Sequence, residues 1–163
     1  MSIAITEDHR ALADTVADFL AKHRAREAAR DLLESPSEEL PAFWKDLTGL
    51  GWQGLHIAEE HGGSGYGLEE LVVVIEHLGR TVAPGPFVPS AIASATLAAA
   101  GDEATRARLL PGFADGSTAG AVALDGSVTI TGGTASGSAG TVLGGGLAQV
   151  LLVLVGDDVA IVE

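Results

Sequence analysis

Residues 47–80 decide the fold of this chain, and they read LTGLGWQGLHIAEEHGGSGYGLEELVVVIEHLGR. A helix predicted over about residues 37–50 ends at the glycines on either side of Leu50. A glycine-rich loop follows at residues 61–67, and beyond it apolar residues recur at helical spacing. This second stripe consists of Leu68, Leu71, Val72, Ile75, Leu78 and Val82. The order of helix, glycine-rich loop and helix predicts a helical domain.

The flanking sequence extends this domain in both directions. Upstream, one apolar helix face is formed by Leu12, Val16, Phe19 and Leu20, and Thr6 is placed to cap that helix. Downstream, after three prolines, Ser90 is the predicted N-cap of an alanine-rich helix that ends at Gly101. Asp102 is the predicted cap of a last helix, whose apolar face holds Leu109, Leu110 and Phe113.

The composition changes near residue 116 from Ala, Leu and Glu to Gly, Thr and Val. Beyond that point, short β-type runs occur at residues 119–124, 128–131, 150–155 and 159–162. The last two are predicted to pair as a hairpin. We therefore expect an α+β fold: an N-terminal all-α helical bundle of five or six helices over residues 1–116, followed by a partial antiparallel β domain over residues 117–163.

Charge and cysteine content exclude several classes of protein. The chain has 163 residues, 9 Lys and Arg against 22 Asp and Glu, a net charge of −13 and no cysteine. Disulfides and thiolate metal sites are therefore excluded, and so acidic a chain lacks the basic surface that nucleic acids need. The longest apolar run is far shorter than the ~20 residues of a membrane helix. We expect a cytoplasmic protein with no nucleic-acid or membrane partner.

Two loop motifs have the residue types of a functional site but not the spacing. His56 and His61 flank Glu59 and Glu60, yet their spacing fits no zinc-protease pattern, and a solvated loop is favoured over a metal site. The glycine-rich loop at residues 62–67 lacks the lysine of a phosphate-binding P-loop, so a turn between helices is favoured there. No metal site is assigned.

Side chains elsewhere give no catalytic pattern either. Ser64, Ser90 and Ser94 lack the strand-to-helix turn of a nucleophile elbow. Trp44 and Trp52 are predicted to be core residues rather than cofactor contacts. Composition and spacing alone therefore stop at an acidic helical domain joined to a glycine-rich β segment.

Residues 47–80 and two later motifs resemble one known family. The matching segments are Gly51-Trp52, residues 59–63, residues 76–80, Leu-Pro-Gly-Phe-Ala-Asp-Gly at 110–116 and Ala-Val-Ala-Leu at 121–124. They resemble the N-terminal helical domain and the first middle-domain strand of the FAD-dependent acyl-CoA dehydrogenases. Ala58 stands where that family usually has proline.

The resemblance implies a fold and a reaction. Family members have a helical, a β and a second helical domain, and they form the α,β-double bond of an acyl-CoA thioester. A glutamate removes the α proton, and the flavin accepts the β hydride. That glutamate lies on the C-terminal helical domain of the family, so no residue here is assigned as catalytic. The resemblance also implies a homo- or hetero-oligomer with acyl-CoA dehydrogenase-type subunits.

The flavin motifs of the family are degenerate in this chain. By resemblance, the backbone of Val122, Leu124 and Asp125 faces the flavin pyrimidine edge, but Asp125 replaces the usual threonine. Leu143 and Gly144 replace the hydroxyl and amide of the family's shielding motif, and Thr141 replaces its aromatic ring. FAD is thus the cofactor of the complete enzyme, and we expect the isolated chain not to hold it.

The resemblance also suggests an acyl-binding segment. Phe87, Val88 and Ile92 are predicted to line the base of the acyl cavity because they are the bulky apolar residues of that segment. Their small neighbours, Ala91, Ala93, Ser94 and Ala95, are expected to leave space for a bulky acyl chain, such as one derived from a steroid. Two functions stay open: part or subunit of an acyl-CoA dehydrogenase, or a non-catalytic helical scaffold with the same fold.

Overall fold

The computed structural model describes residues 5–163, in which six α-helices precede five β-strands. The helices are α1 (Glu7–Lys22), α2 (Ala25–Leu32), α3 (Trp44–Gly49), α4 (Leu68–Thr81), α5 (Phe87–Ala100) and α6 (Glu103–Ala114). The strands are β1 (Gly120–Ala123), β2 (Ser127–Thr131), β3 (Thr134–Ser138), β4 (Val150–Val155) and β5 (Asp158–Val162). Two 3₁₀ turns, Trp52–Gly54 and Glu59–His61, lie between α3 and α4. The α+β class and the number of helices are as predicted.

Two helix starts follow the predicted capping and two do not. The Thr6 hydroxyl accepts a hydrogen bond from the His9 amide at 3.1 Å, and Asp102 accepts one from the Thr105 amide at 2.7 Å. The other two predicted starts were wrong. Helix α5 begins at Phe87, three residues before Ser90, which is fully buried. Helix α3 begins only at Trp44, since Pro41 cannot donate the amide that a longer helix needs.

Helix α4 is present as predicted, but it is rotated relative to its predicted apolar stripe. Leu71, Val74 and Leu78 are buried, whereas Leu68 and Val72 are 64% and 56% exposed. The run of three valines at residues 72–74 offers two apolar faces of similar breadth, so periodicity alone does not fix the rotation. The packed face is the one that meets α1.

Two clusters of buried residues form the core, and α5 contributes to both. The first joins α1, α3, α4 and the Trp52 turn, and it takes Phe87 and Ala91 from α5. Trp44 and Trp52 belong to it, at 6% and 5% exposed, which confirms them as core residues. The second cluster joins α6, β1 and β4 to the later part of α5. Helix α5 therefore packs against both clusters.

The strands form a three-stranded sheet in the order β1-β4-β5 and a separate β2–β3 hairpin. β4 and β5 pair antiparallel as the predicted hairpin, and β2 and β3 also pair antiparallel. β1 and β4 run parallel, with Gly120 opposite Val150, which differs from the antiparallel expectation. The chain leaves β1, makes the β2–β3 hairpin and returns in its original direction, and a parallel pair results.

Candidate functional site

The first residue of β1 lies directly against α5. A Cβ added to Gly120 would overlap the ring of Phe113 and lie 2.9 Å from the Cβ of Ala93. The buried Ser90 hydroxyl accepts a hydrogen bond from the Gly120 amide at 3.0 Å. Glycine is therefore required here by the close approach of a strand to a helix, and Ser90 serves as a strand anchor instead of a helix cap.

The Ser90 contact also identifies the open edge of β1. Gly120 bonds to Ser90 through its backbone, whereas the Ala119 carbonyl accepts from Gln149 and Val150 on the β4 side. Backbone groups of successive strand residues point to opposite edges. The N–H and C=O groups of Val122 therefore face away from β4, on the same edge as Gly120, and Leu124 and Asp125 continue the chain beyond the end of the strand.

The predicted flavin contacts lie at the end of this open edge. Val122 is half-buried, Leu124 is 75% exposed, and Asp125 is exposed just beyond the strand. The backbone edge has the donors and acceptors that one edge of a flavin ring requires. The side chains of Leu143 and Gly144 add no donor. The chain thus fits one edge of the cofactor and not the whole of it.

The loop that contains Gly144 meets the start of α5. A Cβ on Gly144 would lie 2.7 Å from Cγ of Pro89, and this glycine has a φ of +69°. The segment that resembles the flavin-shielding motif therefore approaches the predicted acyl-binding residues. A Cβ on Gly140, in the same loop, would lie 2.8 Å from the Asp125 carbonyl oxygen, so the loop approaches both the start of α5 and the residues after β1.

The structure brings together two of the three predicted acyl contacts. Phe87 and Val88 border an apolar crevice of about 290 Å³ that is also lined by Trp44, Leu78 and Val82. Phe87 is itself only 3% exposed. Ile92 is 49% exposed and lies one helical turn beyond Val88, outside the crevice.

The small residues of α5 do not leave the expected open space. Ala91, Ala93 and Ser94 are all buried, and Ala93 belongs to the second core cluster. Small side chains are needed on this face because α5 approaches β1 and the Trp52 turn closely. These small residues therefore pack against neighbouring elements, and the space expected beside them is occupied by the rest of the domain.

Two polar residues that sequence reasoning did not link to α5 contact its inner face. Gln53 is fully buried, and its Nε2 donates to the Phe87 carbonyl at 3.2 Å. His56 Nε2 lies 2.9 Å from the Ser94 hydroxyl. Burial lowers the pKa of His56, while a hydrogen bond to the Ala91 backbone opposes this shift. The available signal was a polar residue, Gln53, inside an otherwise apolar turn.

The two histidines that were weighed as metal ligands are engaged separately. His56 contacts Ser94, whereas His61 is buried with its Nε2 at 3.6 Å from the Glu60 carboxylate. Within residues 5–163, no three His, Cys, Asp or Glu side chains come together as metal ligands. In the same residues, no helix has both the length and the apolar character to cross a membrane.

Comparison with known proteins decides the family. The family model named "Acyl-CoA dehydrogenase, N-terminal domain" matches residues 6–117. The chain belongs to the acyl-CoA dehydrogenase family. The motifs at residues 47–80 and 110–116, on which the resemblance rested, lie inside the matched range.

Curated relatives of this acyl-CoA dehydrogenase chain are considerably longer. Acyl-CoA dehydrogenase IpdE2 of Mycobacterium tuberculosis is 33% identical over 127 residues, which is 77% of this chain and 39% of that protein. Mitochondrial isovaleryl-CoA dehydrogenase of Pongo abelii is 33% identical over 74% of this chain and 29% of its own length. The chain thus spans well under half the length of these relatives.

Solved structures with the same fold include two complexes of paired subunits. The Tcur3481–Tcur3483 steroid acyl-CoA dehydrogenase variant is 30% identical, with a TM-score of 0.78 over 92% of this chain and 45% of that chain. The ChsE4–ChsE5 complex from Mycobacterium tuberculosis has a TM-score of 0.83 over all of this chain and 49% of that chain. At 24% identity, the second likeness shows the fold alone.

Proposed function

We propose that this chain is part or a subunit of an FAD-dependent acyl-CoA dehydrogenase, in which it forms one wall of the acyl site and one edge of the flavin site. The observation that carries the proposal is the open backbone edge of β1 beside α5, in a chain that matches the family over residues 6–117. In the reaction, the acyl-CoA loses a proton from its α carbon and a hydride from its β carbon. When bound, the flavin accepts that hydride.

Each set of residues has a separate role in this proposal. Val122, Leu124 and Asp125 present backbone groups to the pyrimidine edge of the ring. Phe87, Val88 and Ile92 form an apolar wall for the acyl chain. The loop between β3 and β4 approaches Pro89 at Gly144 and the Asp125 carbonyl at Gly140, which supports placing both functions around it. The base that removes the α proton is not among these residues.

We further propose that FAD is held only in a complex with another acyl-CoA dehydrogenase-type subunit. By resemblance, Asp125 stands at the position of the threonine that meets the flavin ring, and a carboxylate there would oppose the negative charge that accumulates on flavin reduction. Gly144 has no side chain with which to contact the ring. The paired subunits of the Tcur3481–Tcur3483 and ChsE4–ChsE5 structures support this arrangement.

The acyl chain is proposed to be bulky and apolar, of the steroid-derived class. Support comes from the 30% identical structure, which is described as a steroid acyl-CoA dehydrogenase. The apolar lining of the crevice beside Phe87 and Val88 agrees with a hydrocarbon ligand. The outward face of α5, where Val88 and Ile92 lie, is the side on which such a chain is placed.

Co-expression with a candidate acyl-CoA dehydrogenase subunit tests the proposal. We expect the purified complex to be yellow and its flavin absorbance to bleach on adding a steroid-derived acyl-CoA. Val122→Pro removes one of the backbone amides that the proposal assigns to the flavin and leaves the β4 side paired, whereas Val122→Ala keeps that amide. Flavin content is expected to fall only with proline.

A non-catalytic scaffold remains the second candidate, and Asp125 is the observation that favours it. A stable but colourless complex, unchanged by acyl-CoA, would establish the scaffold and overturn the dehydrogenase proposal. Equal flavin content in the proline and alanine variants would overturn the assigned role of the β1 edge.

A further inference from the structure

Helix α5 has two faces with different partners. Val88 and Ile92 lie one turn apart on the outward face. Phe87, Ser90 and Ser94 lie on the inward face, and each makes a polar contact to a neighbouring element. The helix carries no charged residue, so these few polar contacts are its specific connections to the rest of the domain.

Gln53 fixes the first residue of α5. Its Nε2 donates to the Phe87 carbonyl, which assigns the orientation of the amide because a carbonyl only accepts. The other amide atom, Oε1, is buried with no partner among the described residues. A buried unpaired acceptor destabilises the fold, and leucine would avoid that loss. The stabilising contribution of the Gln53 amide is its hydrogen bond to the Phe87 carbonyl.

His56 fixes the same face about two turns later, at Ser94. The Ser94 hydroxyl has a single proton and lies 3.1 Å from the Ala91 carbonyl, to which it donates. With the Ser94 proton assigned to Ala91, the Ser94 oxygen accepts from His56 Nε2, 2.9 Å away, and we assign the Nε2–H tautomer to the imidazole. His56 Nδ1 is then a bare, buried acceptor without a partner in residues 5–163.

The second half of α5 lacks such contacts. Thr96 bonds only to the Ile92 carbonyl of the same helix. In the part of the chain that the structure describes, no side chain from outside α5 makes a hydrogen bond to residues 95–100. The polar connections are thus confined to the half that carries Val88 and Ile92.

We propose that Gln53 and His56 are positioning residues, which fix the rotation and axial position of the first half of α5. Through the helix, they determine where Val88 and Ile92 lie on the outward face. The consequence for acyl binding rests on the proposed function, whereas the positioning itself does not. Two polar residues of the turn after α3 thereby set the geometry of a surface that they do not touch.

Amide hydrogen exchange of the full chain measures the positioning directly. His56→Leu and Gln53→Leu each remove the hydrogen bond to α5 and fill the space of the native side chain with an apolar one. His56→Gln places an amide nitrogen where the His56 Nε2 atom lay. A net hydrogen bond of about 0.5–1.5 kcal/mol corresponds to a roughly two- to twelvefold change in protection. We expect that loss in residues 90–94 for both leucine variants, with protection restored in His56→Gln.

The matched control is Thr96→Ala, which removes a side-chain hydrogen bond made within α5 itself, to the Ile92 carbonyl, and no bond to another element. It is expected to leave residues 90–94 unchanged. The backbone amides of α6 would lose protection only if a variant destabilised the whole domain, and they are expected to keep their protection in every variant. An equal loss across α5 and α6, no loss at residues 90–94, or a failure of His56→Gln to restore protection would each overturn the positioning role.

Two further readouts separate this inference from the proposed function. Ring nitrogen shifts from ¹⁵N NMR are expected to show His56 with a protonated Nε2 and a bare Nδ1, and the opposite tautomer would overturn the assigned contact. In the co-expressed complex, the leucine variants are expected to raise KM for acyl-CoA about two- to twelvefold with kcat retained. A wild-type complex that binds no acyl-CoA overturns the proposed function, while the exchange result stands independently.

Discussion

The α5–β1 junction and the β2–β3 hairpin are joined within a few residues of the chain, yet they are built differently. At the junction, Ala93, Phe113 and Ala121 are fully buried, and backbone approaches side chain too closely for a Cβ on Gly120. In the hairpin, β3 has no buried or half-buried residue, and β2 has one half-buried residue, Val128. One region is held by packing and the other by a ladder of backbone hydrogen bonds.

This difference shows which region holds the candidate site in place. A two-stranded hairpin without a buried face is only marginally stable by itself in water. The flavin and acyl surface therefore depends on the junction, and the hairpin joins the two parallel strands. Four measurements test this contrast, in decreasing order of expected effect.

The largest loss is expected from Phe113→Ala. Phe113 is fully buried in the second core cluster and touches the start of β1. Phenylalanine-to-alanine changes in a core cost about 3–5 kcal/mol. Ile130→Ala, in the exposed hairpin, is the control and is expected to stay within about 0.5 kcal/mol. Urea unfolding of both variants measures the difference, and equal midpoints would contradict the contrast.

A smaller loss is expected from Gly120→Ala. The new methyl group would overlap the Phe113 ring and press on Ala93, and overpacking of this kind costs about 1–3 kcal/mol. Gly49→Ala makes the same chemical change at the end of α3, where nothing lies within 4 Å of the added Cβ. That control is expected to be neutral or slightly stabilising in thermal unfolding. Unchanged stability in Gly120→Ala would mean that helix and strand do not approach closely here.

Thr6→Ala is expected to cost about 1 kcal/mol, because it removes the N-cap of α1. The Thr6 hydroxyl accepts from the His9 amide, and the His9 ring accepts from the Thr6 amide. Thr15→Ala, in the exposed middle of the same helix, is the control and is expected to be neutral or mildly stabilising. Circular dichroism during thermal unfolding compares the two. A larger loss at Thr15 would show that capping does not govern the start of α1.

The smallest effect is a pH dependence that arises from His56. Burial lowers the pKa of this imidazole below its ordinary value, so the unfolded chain binds the proton more readily than the folded one. Stability is therefore expected to fall as the pH drops below about 6.5. His56→Gln is expected to flatten this slope relative to the wild type, and unfolding between pH 5 and 8 measures it. An unchanged slope would place His56 in a more solvated setting.

Local sequence rules located most elements because the decisive residues lie next to one another. Thr6 and Asp102 cap the helices they precede, and the apolar run at Val150–Val155 forms a strand that pairs with β5. Features set by distant packing were not predictable. β3 was missed because Thr134–Ser138 has no large apolar residue, and it is a strand only because it pairs with β2.

The candidate site was predictable only where a family motif covered it. Val122, Leu124 and Asp125 were named from resemblance, and the open edge that they form follows from the Ser90 contact to Gly120. Ser90 itself looked like a helix cap, because a serine after three prolines matches that pattern. Gln53 and His56 gave no periodic signal, since their partners lie more than thirty residues away along the chain.

The parallel pairing of β1 with β4 also constrains the order of folding. β4 and β5 are adjacent in sequence, and hairpins of this kind form in about 1–10 μs. β1 can pair with β4 only after the intervening residues 124–149 have closed a loop. Closing this loop lowers the entropy of the chain before any contact between β1 and β4 stabilises it. We infer that the edge bearing Val122 and Leu124 is assembled late, when β1 adds to a preformed β4–β5 ribbon and the helices lock it in place.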